Sequence, residues 1–116
     1  MSLIDLHCDT FWQIDMHPEK HLYENDLCVD VKKLQAAGSM AQFFACFIHT
    51  NDENGNRYMG SCERALRMIA RANEEFARNK ETIGLARNYE ELMRQKEAGK
   101  IAAFLTIEEG GILICA

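Results

Sequence analysis

The chain has 116 residues, room for at most one domain, and at that length folding buries roughly two-thirds of the surface that the unfolded chain exposes. With 47% hydrophobic and 27% charged residues it reads as a soluble globular protein, which excludes a disordered chain. A formal charge of −5 with scattered lysines and arginines disfavours nucleic acid as a partner, and no run nears the ~20 apolar residues of a membrane span.

The five cysteines, Cys8, Cys28, Cys46, Cys62 and Cys115, form no CxxC pair, and an odd number cannot be fully paired within one chain. Buried reduced thiols are the simplest account of them. The N-terminus lacks a basic segment followed by an apolar one, so the expected location is cytoplasmic.

In chain order, "SLIDLHCD" predicts a short strand that enters a polar, irregular segment from about Thr10 to Asn25, with His17-Pro18 as a turn. Asp30 then caps a helix around "VKKLQAA", and Gly38 stops it. "MAQFFACFI", residues 40–48, is nearly unbroken in apolar character, as a strand covered on both faces requires. "HTNDENGNRYMG" is a polar loop with an Asn54-Gly55 turn signal, and Ser61 caps a long helix through about Asn79. On that helix Leu66, Ile69, Asn73 and Phe76 fall on one face at helical spacing, a stripe read as core packing. "TIGLAR" predicts a third strand, Asn88 opens a capping box with Glu91 for the helix "YEELMRQKEA", Gly99 closes it, and "IAAFLTI" is a fourth strand running into "EEGG". Strand and helix alternate throughout, the order that predicts parallel (β/α) units.

Two constellations carry chemistry. Residues two apart in a strand project from one face, so His7 and Asp9 point together and offer one neutral nitrogen and one anionic oxygen to a divalent metal. Taken alone, His-x-Asp is a weak signal, and a hydrogen-bonded pair at a strand end satisfies it as well. Asp5 shares their parity and is read as either a supporting hydrogen-bond partner or a solvent-facing group. In "TIEEGG" two carboxylates precede two glycines. Only one of them shares a face with Leu105 and Ile107, and in a regular strand that one is Glu109. Both constellations lie at the C-terminal ends of strands, the edge where parallel α/β folds build their sites. A glutamate facing a His-x-Asp pair could bridge two metals.

"DLHCDT", "KLQAAGSMAQFFACFI" and "IAAFLTIEEGG" together resemble three successive landmarks of the membrane-dipeptidase (renal dipeptidase) family of zinc peptidases. The resemblance implies the first half of a TIM (β/α)8 barrel of the metal-dependent hydrolase type, which in complete form holds two zinc ions and hydrolyses dipeptides, often tolerating a D-residue at the C-terminal position. By position it assigns His7 and Asp9 to one zinc and Glu109 to the carboxylate that bridges the two, followed by Gly110 and Gly111. Gln42 and Phe43 match a strand signature read as structural, His49 is read as a loop or pocket-rim residue, and His17 and His21 as surface residues.

Departures from the family pattern bear on competence. The family's further zinc histidines, its substrate-contacting histidine and its catalytic aspartate all lie downstream of the matched segments, so no catalytic residue is expected within this chain. Ile112 follows "EGG" where some members carry histidine. A whole barrel needs about 250 residues, so residues 1–116 are expected to be the N-terminal part of a single barrel domain, truncated, frameshifted or only partly represented. On that expectation the chain alone is an inactive fragment with partial or no zinc occupancy, and it forms a homo-oligomer or associates with the missing half. Two other readings are open: a metal-dependent phosphoesterase of the histidinol-phosphatase-like type, to which "DLHCDT" is also similar, and a non-catalytic half-barrel assembly module.

Overall fold

The computed structural model describes residues 2–49, 51 and 60–113; the expected Asn54-Gly55 turn lies outside them. Four strands, β1 (Leu3–Asp5), β2 (Ser39–Phe47), β3 (Ile83–Leu85) and β4 (Ile101–Glu108), alternate with four helices, α1 (Thr10–Met16), α2 (Val31–Ala36), α3 (Ser61–Arg78) and α4 (Tyr89–Glu97). The strands form one all-parallel sheet in the order β1-β2-β4-β3. The α/β class and the parallel (β/α) units expected from the sequence are therefore present, and the sheet is compatible with part of a TIM barrel.

The longest pairing is at the centre of the sheet. β2 and β4 are long apolar runs that match over seven register pairs, from Ala41↔Ala102 to Phe47↔Glu108. The three-residue β3 pairs with the start of β4, from Ile83↔Ile101 to Leu85↔Ala103, and flanks the sheet on the side away from β2.

Each face of the sheet has its own packing. On one face Phe11 of α1, Phe44 of β2 and Phe76 of α3 meet with ring centroids 5.2–5.8 Å apart, and Met68, Ile83, Ile101 and Ala103 join them. On the other face Phe43 and Phe104 stack at 4.5 Å with planes 8° apart, beside Ala41, Ala86 and Ala102.

The segment after β1 is not wholly irregular as expected: Thr10–Met16 is helical, because Phe11 and Ile14 are buried at helical spacing against β2 and α3. The buried stripe of α3 is also rotated from the expected one. It runs through Ala65, Met68, Ala72, Glu75 and Phe76, while Leu66 is 60% exposed and Asn73 faces solvent. Two alanines on the buried side let the helix approach the sheet closely, and Glu75 is admitted because it is fully bonded. Two of the three expected N-caps follow the sequence, whereas Ser61 is the first residue of α3 and not its cap: Gly60 stands at the N-cap and the Ser61 hydroxyl donates to the Gly111 carbonyl at 3.3 Å. Asp30 accepts from the Lys33 amide at 2.7 Å and Asn88 from the Glu91 amide at 2.9 Å, though the returning Glu91 carboxylate takes the Arg87 amide at 2.8 Å instead of that of Asn88. Cys8 and Cys46 are buried free thiols as expected, whereas Cys28 is exposed and Cys62 is disulfide-bonded, which corrects the expectation of reduced thiols throughout.

Candidate metal centre

Beyond Asp5 the backbone continues alongside β2, the Cys8 amide donating to the Phe43 carbonyl at 3.1 Å and the Ala45 amide to the Cys8 carbonyl at 2.9 Å. Cys8 is buried in the aromatic core, so its neighbours His7 and Asp9 project to the opposite face. Burial pushes the Cys8 thiol up to about 11, against the opposing bonds from Thr10, so it stays neutral and is not an anionic ligand.

Asp9 stands at the N-cap of α1 yet makes no side-chain capping bond. Its carboxylate is committed elsewhere: Oδ1 lies 3.3 Å from His7 Nε2, and Glu108 Oε2 lies 3.4 Å from the same nitrogen. The ligating atoms of His7, Asp9 and Glu108 all fall within 4.8 Å of one another, and the three side chains are about half exposed at the C-terminal edge of the sheet. Four donors at ~2.1 Å from a tetrahedral ion are spaced ~3.4 Å apart, so the two measured separations fit a shared ion. The donor set, one imidazole and two carboxylates, suits zinc. Beside it opens a cavity of about 720 Å³ lined by His7, Asp9, Trp12, Leu27 and Cys28.

Of the three residues expected at the metal, the structure brings His7 and Asp9 together and places Glu109 elsewhere. Glu109 adopts φ 78°, in the left-handed region, where its Oε1 accepts from the Gly111 amide at 3.3 Å and its Oε2 is buried without a partner. Glu108, which sequence reasoning passed over, takes the place in the cluster. The parity argument required the strand to stay regular through Glu109, but β4 ends at Glu108 and Glu109 turns into the left-handed region; Leu105, moreover, packs on the core under α1 and α3, while Phe104 lies on the other face. The apolar Cys8 between His7 and Asp9 was the available signal, because it marks which face is covered.

The remaining sequence candidates have structural partners. Gln42 is fully buried and its Nε2 donates to Asp5 Oδ2 at 2.8 Å and to the Phe43 carbonyl at 3.1 Å, tying β1 to β2. His17 is exposed, with Nδ1 3.8 Å from Glu19. His21 Nδ1 is 2.9 Å from the buried Glu75 carboxylate, and His49 stands among the rings of Trp12 and Phe47.

An all-parallel α/β sheet with imidazole and carboxylate donors converging at its C-terminal edge is an arrangement that metal-dependent hydrolases built on (β/α) units use. The family model for membrane dipeptidases (peptidase family M19) matches residues 1–114. The chain belongs to that family, and with it to the peptidases. A search for similar curated proteins returned no match. Among the described residues no helix is long and apolar enough to cross a membrane.

Proposed function

We infer that this chain serves a zinc-dependent dipeptidase, with His7 and Asp9 holding a zinc ion together with one carboxylate of the adjacent Glu108 and Glu109. The observation that carries this reading is the convergence of His7 Nε2, Asp9 Oδ1 and Glu108 Oε2, within 4.8 Å, at the strand edge. When bound there, zinc polarises a peptide carbonyl and lowers the pKa of water so that it can attack near neutral pH. His7 supplies the neutral nitrogen, and Asp9 supplies an oxygen left free because it does not cap α1. Glu108 closes the set from β4, and the buried Oε2 of Glu109, which has no partner among the described residues, gives the neighbouring position an affinity for a cation or donor. The expected substrate is a dipeptide. Among the described residues one group of three donors occurs, and a two-zinc centre needs more ligands than these three supply.

Titration calorimetry with zinc tests the assignment. His7→Ala is expected to weaken binding by at least tenfold, Glu108→Gln by a similar factor, and Glu109→Gln by less. Undiminished zinc affinity in both His7→Ala and Glu108→Gln would refute the site. A larger loss in Glu109→Gln than in Glu108→Gln would return the bridging role to Glu109.

A further inference from the structure

Between α1 and α2, residues 17–30 form neither helix nor strand, so their backbone groups need partners from elsewhere. Two ion pairs supply several of them. From α3, Glu75 accepts from the Leu22 amide at 2.9 Å, and Arg71 Nη2 donates to the Pro18 and Lys20 carbonyls at 3.1 and 2.8 Å. From the start of α2, the buried Asp30 accepts from the Asn25 amide at 3.0 Å, and Lys33 Nζ donates to the Asn25 and Leu27 carbonyls at 2.9 and 2.6 Å. Lys33 Nζ also lies 2.9 Å from Asp30 Oδ2, so all three donors of its ammonium are engaged at once. Its neighbour Lys32 meets the Glu24 side chain at 2.9 Å and holds no backbone of the segment.

The stretch that Lys33 holds is shared by two cavities. Leu27, Cys28 and Val29 line the cavity of about 720 Å³ beside His7 and Asp9, and Cys28 and Val29 also line one of about 320 Å³ whose wall includes Lys33, Leu34 and Gln42. At Val29 the chain is fixed, because its carbonyl accepts from the Thr10 hydroxyl at 3.3 Å and its side chain packs on the core. Residues 26–28 have weaker holds. Asp26 pairs with Lys20 at the surface, where an ion pair contributes little, and the Leu27 amide bonds at 2.9 Å to Asn25 Oδ1, which belongs to the same stretch. The bond from Lys33 to the Leu27 carbonyl is what ties this wall to a helix.

We propose that Lys33 is a positioning residue that sets the width of the cavity beside His7 and Asp9. By holding the Leu27 carbonyl it keeps Leu27 and Cys28 in place as a wall, and without that bond the wall yields toward the smaller cavity. Lys33 thereby limits the size of the ligand that the larger cavity admits, acting through Leu27. That this ligand is one bound at a metal rests on the zinc reading; the hold of Lys33 on the wall does not.

Hydrogen exchange followed by mass spectrometry on the full chain tests the role. In Lys33→Met, peptides covering residues 23–28 are expected to exchange at least tenfold faster, with those of β2 and β4 unchanged. Lys32→Met is expected to match wild type, and Lys33→Arg to recover part of the protection. Trp12, the sole tryptophan, lines the larger cavity, and its quenching by acrylamide is expected to rise about twofold in Lys33→Met alone. Should that variant fold poorly, Lys33→Gln removes the charge with a smaller change in polarity. The proposal is overturned if exchange and quenching stay at wild-type values, if Lys32→Met has the same effect, or if the β2 and β4 peptides accelerate by the same factor, which would mark a general loss of stability. Zinc affinity is expected to be the same in Lys33→Met as in wild type. A wild type that binds no zinc would sink the metal reading and leave the exchange result to decide the role of Lys33.

Discussion

Glu75 is a carboxylate with no exposed surface, held on α3 by three bonds: Oε1 lies 2.9 Å from His21 Nδ1 and 3.1 Å from Arg71 Nε, and Oε2 accepts from the Leu22 amide at 2.9 Å. Burial is the largest single influence on its acidity and favours the neutral form. The bonds from Leu22, His21 and Arg71 together outweigh it, and the carboxyl ends below its ordinary 4.5. A lowered folded-state value means that the ionised group contributes stability above about pH 4.5 and loses that contribution as the pH falls through the lower folded-state value. Glu75→Gln should therefore cost about 3 kcal/mol at pH 7, the scale of a broken buried pair, and should flatten the acid limb of the stability curve. Urea unfolding between pH 7 and pH 3 measures both. Parallel acid limbs in wild type and variant would show that Glu75 is not the linked group. The sequence near Glu75 announces only the i,i+4 pair with Arg71, since its other two partners, His21 and Leu22, lie more than fifty residues away. The same holds for Glu108, whose partner His7 comes from the other end of the chain.

At the level of elements, α3 shows what periodicity can and cannot read. Its extent is legible from the apolar spacing and from Asn79 at its end, where the amide closes back on the Glu75 and Phe76 carbonyls. Its rotation is not, because Leu66 and Met68 are equally apolar and only docking against α1 and β2 selects between them. Phe76 is 5% exposed and touches both Phe11 and Phe44, whereas Leu66 is 60% exposed. Phe76→Ala should accordingly destabilise by about 3–5 kcal/mol, while Leu66→Ala should stay within about 0.5 kcal/mol of wild type. Equal losses in thermal or chemical denaturation would mean that the helix is seated on the face expected from the sequence. Helix α1 illustrates the opposite omission. Its Phe11 and Ile14 spacing was visible, but seven residues among polar neighbours are too few for a helix to hold by propensity, and the core they enter is what holds it.

For the molecule as a whole, the consequence of the strand order is an open edge. Among the described residues β1 pairs on one side only, and Leu3 and Ile4 on it and Leu6 just beyond it are 47%, 45% and 70% exposed. Unpaired backbone beside exposed apolar side chains is a template for another strand. Sedimentation velocity should show concentration-dependent association, reduced in an Ile4→Lys, Leu6→Lys double variant. A monomer at every concentration would show that this edge is not used.

Local chemistry in the sequence determined the strands and three of the four helices, the helix caps at Asp30 and Asn88, the parallel α/β class, and the pairing of His7 with Asp9. Each rests on residues close together in the chain, through spacing of two, of three to four, or a single capping bond. Tertiary structure alone decided that β4 lies beside β2, that α3 turns Met68 inward and Leu66 outward, and that Glu108 and not Glu109 faces His7. Those outcomes depend on which face of the sheet the helices cover, and that is settled by packing between segments far apart in the sequence, where a shift of one residue sends a side chain to the other face.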